Sequence, residues 1–319
     1  MVTISRSQNR VEAGNAPAST LAIQTIDLVK RYRTTTALAG LSMTVPRGEV
    51  FGFLGPNGAG KTTAVKLLLG LTRPTGGEGF VLGAPLGDRE TRRRVGYLPE
   101  LFRYQDWLSA REVLALHCAL AGIPRPRRAA EIDEALHTVG LASRAGDRVG
   151  TFSKGMQQRL GLGVALLGRP DLVLLDEPTS ALDPVGRHDV RAIIHGLKAR
   201  GATVFLNSHL LNEVEHVCDR VAVVNLGRVI AMGAMQEVLG ETRTVRLRVT
   251  GLARAGEDAL ARFGEVGREE GWYVVRGLDD DDIPPLVAEV VRLGGRVYAV
   301  EPRHQSLEDR FLQLLAASS

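Results

Sequence analysis

The run Gly55-Pro56-Asn57-Gly58-Ala59-Gly60-Lys61-Thr62 sets three glycines, a lysine and a hydroxyl within eight residues. That spacing suits phosphate. Glycines let successive backbone N–H groups turn inward around phosphate oxygens, and a helix start adds positive dipole. Lys61 would reach the β and γ phosphates, and the Thr62 hydroxyl, with Thr63 beside it, would ligate Mg²⁺. Further on, the apolar run Leu172-Val173-Leu174-Leu175 ends on Asp176 and Glu177. An acid at the end of a buried strand can organise Mg²⁺, and a second acid can polarise water. The acid pair alone is common. Together the loop and the acid pair point to nucleotide hydrolysis.

Such a loop needs a strand before it and a helix after it. Residues 50–54 read as a buried strand, and 64–71 as a helix. Alternation predicts strands over 23–30 and 38–45, and short strands follow at 95–98, 172–176, 203–207 and 221–225. The fully apolar ones suit a parallel sheet. From Ser109 to Leu167 the pattern is mostly helical, broken at Pro124 and Pro126 and again over 144–151. Ser109 with Glu112 forms a capping box. The expected fold is α/β: a parallel core sheet, an antiparallel part at the N-terminal end, and a helical insertion at about 105–168.

The pattern changes near Gly240. Val245, Leu247 and Val249 alternate with Arg246 and Arg248, as in a half-exposed strand. Strands are expected at 272–275 and 296–300. Helical stripes are carried by Ile283, Leu286, Val287, Val290 and Val291, and by Leu307, Phe311, Leu314 and Leu315. The division is a disordered leader at 1–20, a nucleotide-binding domain at 21–240, and a small α+β domain at 241–319, ordered strand-helix-strands-helix-strand-helix. The acidic run 279–282 lacks the glycine and distant Glu of a calcium loop and reads as a solvated helix start.

Composition excludes several classes. With 319 residues, 44% of them hydrophobic, the chain can bury a real core and is not wholly disordered. Its 40 basic residues nearly balance 36 acidic ones, which argues against a nucleic-acid partner. Cys118 and Cys218 have no metal-ligand spacing and read as ordinary thiols in a reducing cytosol. Nothing approaches the ~18 apolar residues of a membrane span, and no signal peptide is visible. The expectation is a soluble, intracellular protein that acts at a membrane only through a partner.

A third constellation narrows the class. Phe152-Ser153-Lys154-Gly155-Met156-Gln157-Gln158-Arg159 opens an apolar helix just before the Asp176 strand. It resembles the signature motif of ATP-binding cassette (ABC) ATPases. The run from Ser180 to Asp183 resembles their D-loop, and Asn207-Ser208-His209 ends on their switch histidine. Tyr32 stands where the family places an aromatic that stacks on adenine. Gly96-Tyr97-Leu98-Pro99-Glu100 occupies the Q-loop, with Glu in place of the usual Gln. The order is the family's, over about residues 21–240.

The resemblance implies that two cassettes pair head to tail, with each ATP between the phosphate loop of one and Ser153, Gly155 and Met156 of the other. It implies that Tyr32, Gly55, Asn57, Gly58, Ala59, Gly60, Lys61, Thr62, Thr63, Glu100, Asp176 and Asp183 contact nucleotide or join the two sites. Mg²⁺ would be bound by Thr62, Asp176 and Glu100. Glu177, His209 and Lys61 would carry catalysis. The Ser-Lys-Gly-Met signature and the Leu-Pro-Glu Q-loop resemble one branch, the ATPases of ABC-2-type exporters. That branch includes relatives of daunorubicin-resistance, sodium-extrusion and nitrous-oxide reductase maturation ATPases. Many of its members carry a similar tail ending in a stretch like 306–312. The implied function is the ATP-hydrolysing subunit of an exporter. It would form a homodimer and sit on the inner face of the cell membrane through a separately encoded permease.

Phe102, Tyr104 and Trp107 have two readings of equal weight, a groove for a permease helix or packing of the insertion against the sheet. His117, His137 and His195 read as ordinary helix or surface residues. Two other functions fit the residues less well. A soluble ABC protein that remodels a macromolecular complex usually carries two cassettes, coiled coils or zinc modules, none of which is visible. An inactive structural cassette conflicts with the presence of Lys61, Asp176, Glu177 and His209.

Overall fold

The structure is a computed structural model that describes residues 20–180, 182–240, 244–252, 259–269, 271–278, 280–303 and 306–318. Two compact units divide between Met232 and Gly233, where the sequence places the change of pattern near Gly240.

The first unit begins with β1 (Leu21–Tyr32) and β2 (Thr35–Pro46), longer at both ends than alternation suggests. Then β3 (Val50–Leu54) runs into the glycine loop and α1 (Lys61–Leu68). This helix starts three residues before the expected 64 and stops before 71. Gly60, at φ +102°, turns the chain directly into it, and Gly70, at φ +64°, ends it. β4 (Gly76–Val81), β5 (Ala84–Pro85) and α2 (Arg89–Arg92) follow. They are too short and glycine-rich for a periodic signal. β6 (Val95–Leu98) leads to the insertion, α3 (Ala110–Leu120), α4 (Arg125–Thr138) and α5 (Lys154–Ala165). The Ser109–Glu112 capping box is present. Pro126 falls inside the first turn of α4, where its missing N–H costs nothing, so only Pro124 marks the break.

β7 (Leu172–Asp176), α6 (Pro184–Ala199), β8 (Thr203–Asn207), α7 (Leu211–Val217), β9 (Arg220–Asn225) and β10 (Arg228–Ala234) complete the main sheet. Its order is β10-β9-β3-β8-β7-β6, and β9, β3, β8, β7 and β6 run parallel. A second, antiparallel sheet has the order β2-β1-β4-β5. Every residue of β3, β7 and β8 is buried, and Phe51, Phe53 and Phe205 pack their rings at 5.1–5.9 Å across β3 and β8. The α/β fold with a parallel core and a helical insertion is as the sequence implies.

One contact fixes the insertion against this sheet. A Cβ on Gly96 of β6 would lie 2.0 Å from the backbone oxygen of Ala165 at the end of α5. Only glycine lets the helix that begins at Ser153 sit so close to the strand that leads to Glu100. Gly96→Ala is expected to cost about 3 kcal/mol, because two backbones must separate. Chemical denaturation checks this, and a loss under ~0.5 kcal/mol would refute it.

The second unit contains α8 (Met235–Leu239), β11 (Thr244–Thr250), β12 (Glu265–Glu269), β13 (Trp272–Arg276), α9 (Ile283–Arg292), β14 (Arg296–Arg303) and α10 (Leu307–Ala317). Its sheet is antiparallel, ordered β12-β13-β11-β14. Leu286 and Val290 are buried in its core with Val245, Leu247 and Tyr273, while Val291 is exposed and leaves the expected stripe. On α10 only Leu307 is buried, and Phe311, Leu314 and Leu315 are half-buried. Asp281 and Asp282 are exposed in a 3-10 turn before α9, as a solvated helix start should be. The leader up to 19, residue 279 and most of the segment where the tail's first helix is expected lie outside the described residues.

Candidate active site

The glycine loop is held from both sides. A Cβ on Gly60 would lie 2.4 Å from the Ala37 oxygen on β2, and one on Gly55 would lie 2.4 Å from the Val224 oxygen on β9. Gly58, at φ +82°, has open space above it. Asn57 and Gly58 are exposed at the rim. Ala59 is buried, and its N–H is engaged by the Pro56 oxygen at 3.1 Å, so it shapes the loop from beneath. The first turn of α1 has no side-chain cap and no acid, so its N–H groups face outward without a local acceptor. That arrangement fits a phosphate.

Lys61 Nζ donates to the Gly55 oxygen at 2.6 Å and the Pro56 oxygen at 3.2 Å. Burial pushes its pKa down, opposed by the charges of Glu177, Asp176 and Glu100. Those carboxylates therefore face one lysine. Asp176 is buried at the end of β7, and burial pushes its carboxyl up. A hydrogen bond from Asn207 and the charge of Lys61 oppose that shift, while Glu100 and Glu177 add to it. Tyr97 is pushed up to about 12 by burial, with the same Asp176 and Glu100 charges adding. Glu100 itself is exposed. Excess negative charge around one cation fits a divalent metal. Among the described residues no cluster of three His, Cys, Asp or Glu could hold a metal alone. A hydroxyl and a carboxylate that share Mg²⁺ with phosphate oxygens need none.

Glu177 follows Asp176 with φ +52°, an unusual backbone for a residue with a side chain. The turn is held by its N–H, which donates to the Asn207 oxygen at 2.8 Å, and by the Ser180 hydroxyl on its own oxygen at 3.1 Å. Its carboxylate is buried. Oε1 accepts from the His209 N–H at 2.9 Å, and Oε2 lies 2.7 Å from His209 Nδ1. Two of the three residues expected to carry catalysis thus touch, although they lie 32 positions apart in the sequence. The His209 ring is otherwise open to solvent.

The remaining candidates have local partners of their own. Ser153 caps α5, its hydroxyl accepting from the Met156 N–H at 3.2 Å, and Ser153 and Lys154 are exposed. Among the described residues no hydrogen bond or ion pair joins Ser153, Gly155 or Met156 to Lys61, Asp176 or Glu177. Asp183 caps α6 by accepting from the Gly186 N–H at 2.7 Å. Tyr32 is exposed, with the Lys30 ammonium 4.8 Å from its ring centre.

The aromatic cluster divides. Phe102 lies against Gly161 of α5, and Tyr104 packs between Phe102 and His117 at 5.3 and 5.6 Å, so those two pack the insertion. His117 is therefore not an isolated helix residue; burial pushes its pKa down. Trp107 is 71% exposed and remains on the surface. Cys118 and Cys218 are buried and free.

Sequence reasoning missed Asn207 and Gln158. Asn207 Nδ2 donates to Asp176 Oδ1 at 2.5 Å, and Gln158 Nε2 donates to the Pro178 oxygen at 3.1 Å, just past Glu177. The available signal was a polar residue ending an apolar strand at 203–207.

A glycine loop between a strand and a helix, with an acid at the end of a nearby parallel strand, defines a phosphate-loop nucleotide-binding protein. The family model for the ABC transporter matches residues 38–180. An uncharacterised ABC transporter ATP-binding protein of Nostoc sp. is 42% identical over 91% of this chain and 88% of its own. A Nod factor export ATP-binding protein I of Burkholderia thailandensis is 37% identical over 89% and 94%. The bacitracin transport ATP-binding protein BcrA of Bacillus licheniformis is 41% identical over 65% and 68%. The solved ATP-binding subunit of an ABC transporter covers 68% of this chain and 91% of its own, with TM-score 0.63 and 31% identity. The chain belongs to the ABC transporter ATP-binding protein family, and its ABC domain supports ATP hydrolysis. No helix among the described residues is long and apolar enough to cross a membrane.

Proposed function

We propose that this chain is the ATP-hydrolysing subunit of an ABC-2-type exporter, that it pairs with a second copy on MgATP, and that it drives a separately encoded permease. The carrying observation is that, among the described residues, no hydrogen bond or ion pair joins the loop that suits phosphate to the exposed cap of α5. Ser153 and the start of α5 offer an anion site that their own Lys61 does not share, and a second copy would supply the missing partner. A solved cassette of the same fold is dimeric and holds ADP and Pi. Two relatives are named for bacitracin transport and Nod factor export, which supports the exporter branch.

In this reading Tyr32 stacks on adenine, and residues 55–63 wrap the phosphates through backbone N–H groups and Lys61. Thr62 and Asp176 hold Mg²⁺, with Glu100 beside them; bound there, it supplies charge neutralisation to the phosphates. Glu177 orients the attacking water and accepts its proton. His209 holds the Glu177 carboxylate and meets the γ-phosphate. Ser153, Gly155 and Met156 serve the partner's nucleotide, and Asp183 joins the two sites. Residues 21–240 form the cassette, and 241–319 an accessory domain for dimer contacts or regulation. The subunit is held at the inner face of the membrane by its permease.

The test uses Glu177→Gln, tagged and captured with MgATP from solubilised membranes of the native host. A single polytopic membrane protein in near-equal amount is expected. Ribosomal or DNA-associated proteins, with nothing from the membrane, would replace the exporter with a soluble remodelling ATPase.

A further inference from the structure

Asn207 ends β8, between the strand that carries Asp176 and the strand that enters the glycine loop. Its backbone pairs with Asp176 on one side and with Phe53 on the other. The residue is buried, with only 3% of its surface exposed. Nδ2 donates to Asp176 Oδ1 at 2.5 Å, while the backbone oxygen accepts the Glu177 N–H at 2.8 Å. One residue thus touches both acids of the site. The reverse orientation of the amide would set a carbonyl against a carboxylate, so this one is required by charge. It leaves Asn207 Oδ1 buried with no hydrogen-bond partner among the described residues. A buried acceptor without a donor is costly, and one account of such an atom is a bound group that satisfies it.

We infer that Asn207 is a positioning residue for the metal: its Nδ2 fixes one oxygen of Asp176 so that the other faces Mg²⁺, and its Oδ1 accepts from a water of the metal's hydration shell. Mg²⁺ gives up its waters reluctantly, so a site for it needs acceptors for those waters as well as direct ligands. This rests on the proposed role of Asp176. Neither Glu177 nor Lys61 can fill the same place, because the Glu177 carboxylate is engaged by His209 and Lys61 only donates.

The experiment measures binding of a fluorescent ATP analogue to the full chain with and without Mn²⁺, together with the electron paramagnetic resonance of protein-bound Mn²⁺. The readout is the gain in nucleotide affinity on adding the metal. Asn207→Leu keeps the branching at Cγ, is larger, and carries no polar atom. Asn207→Ala removes the same groups with no steric demand and decides the matter if the leucine variant binds no nucleotide. Both are expected to lose the gain about tenfold or more, with metal-free affinity within about twofold of the parent. Asn207→Ser, which keeps a donor and an acceptor, is expected to recover most of it, and the Mn²⁺ spectrum to change in the alanine variant. A gain in Asn207→Ala within twofold of the parent overturns the inference. No gain and no bound Mn²⁺ in the parent overturns the assignment of Asp176 itself.

Discussion

Glu177→Gln is expected to bind MgATP and to hydrolyse it about 10³-fold more slowly than the parent, within the span that general-base catalysis contributes. The substitution keeps the shape. An amide oxygen can still accept from the His209 N–H, as Glu177 Oε1 does at 2.9 Å, so the unusual turn at φ +52° should persist. What is lost is the charge and the proton acceptor. Removing that charge also lessens the repulsion between the carboxylates of the site and the incoming triphosphate, which favours the ATP-bound state. Slow turnover with intact binding should accumulate the ATP-bound dimer. Phosphate release measures the first effect, and light scattering on a sizing column with MgATP the second. Turnover near the parent's would remove Glu177 from the role of base.

The second large effect is expected from Lys61→Met. Nucleotide affinity should fall about 100-fold, because the ammonium is the one side-chain cation of the loop that can reach the phosphates. The free protein should tolerate the change. Burial holds the folded pKa of Lys61 below its unfolded value, so its charge is a cost to the fold at neutral pH, relieved as pH rises through the folded pKa. Methionine removes that cost along with the hydrogen bonds to the Gly55 and Pro56 oxygens. In the parent, ligand at 100 times Kd adds about 2.7 kcal/mol, or roughly 5–10 °C in Tm. The variant's own Tm is expected within a few degrees of the parent's, and the shift with MgATP should vanish. A full shift in Lys61→Met would mean that the backbone N–H groups bind the phosphates unaided.

Much of the site was legible because it is local. The glycine loop, the acid pair ending an apolar strand and the cap at Ser153 each lie within about eight consecutive residues. Their chemistry follows from backbone geometry between near neighbours. The Ser109–Glu112 box was readable for the same reason. Boundaries were less legible where a glycine at positive φ set them, as at the two ends of α1.

Tertiary structure decided what depends on strand order. Asp176 meets Asn207, and Glu177 meets His209, only because β7 and β8 are parallel neighbours in register, with a whole helix between them in sequence. The same holds for Phe102 and Tyr104, which pack against α5 and α3 while Trp107 stays on the surface. Hydrophobicity alone does not distinguish the three. The sequence by itself determined which groups could do phosphate chemistry, since that is a property of residue type and short spacing. Only the folded sheet decided which polar atoms meet across it, because a buried acid takes its partners from whichever strand the crossover places beside it.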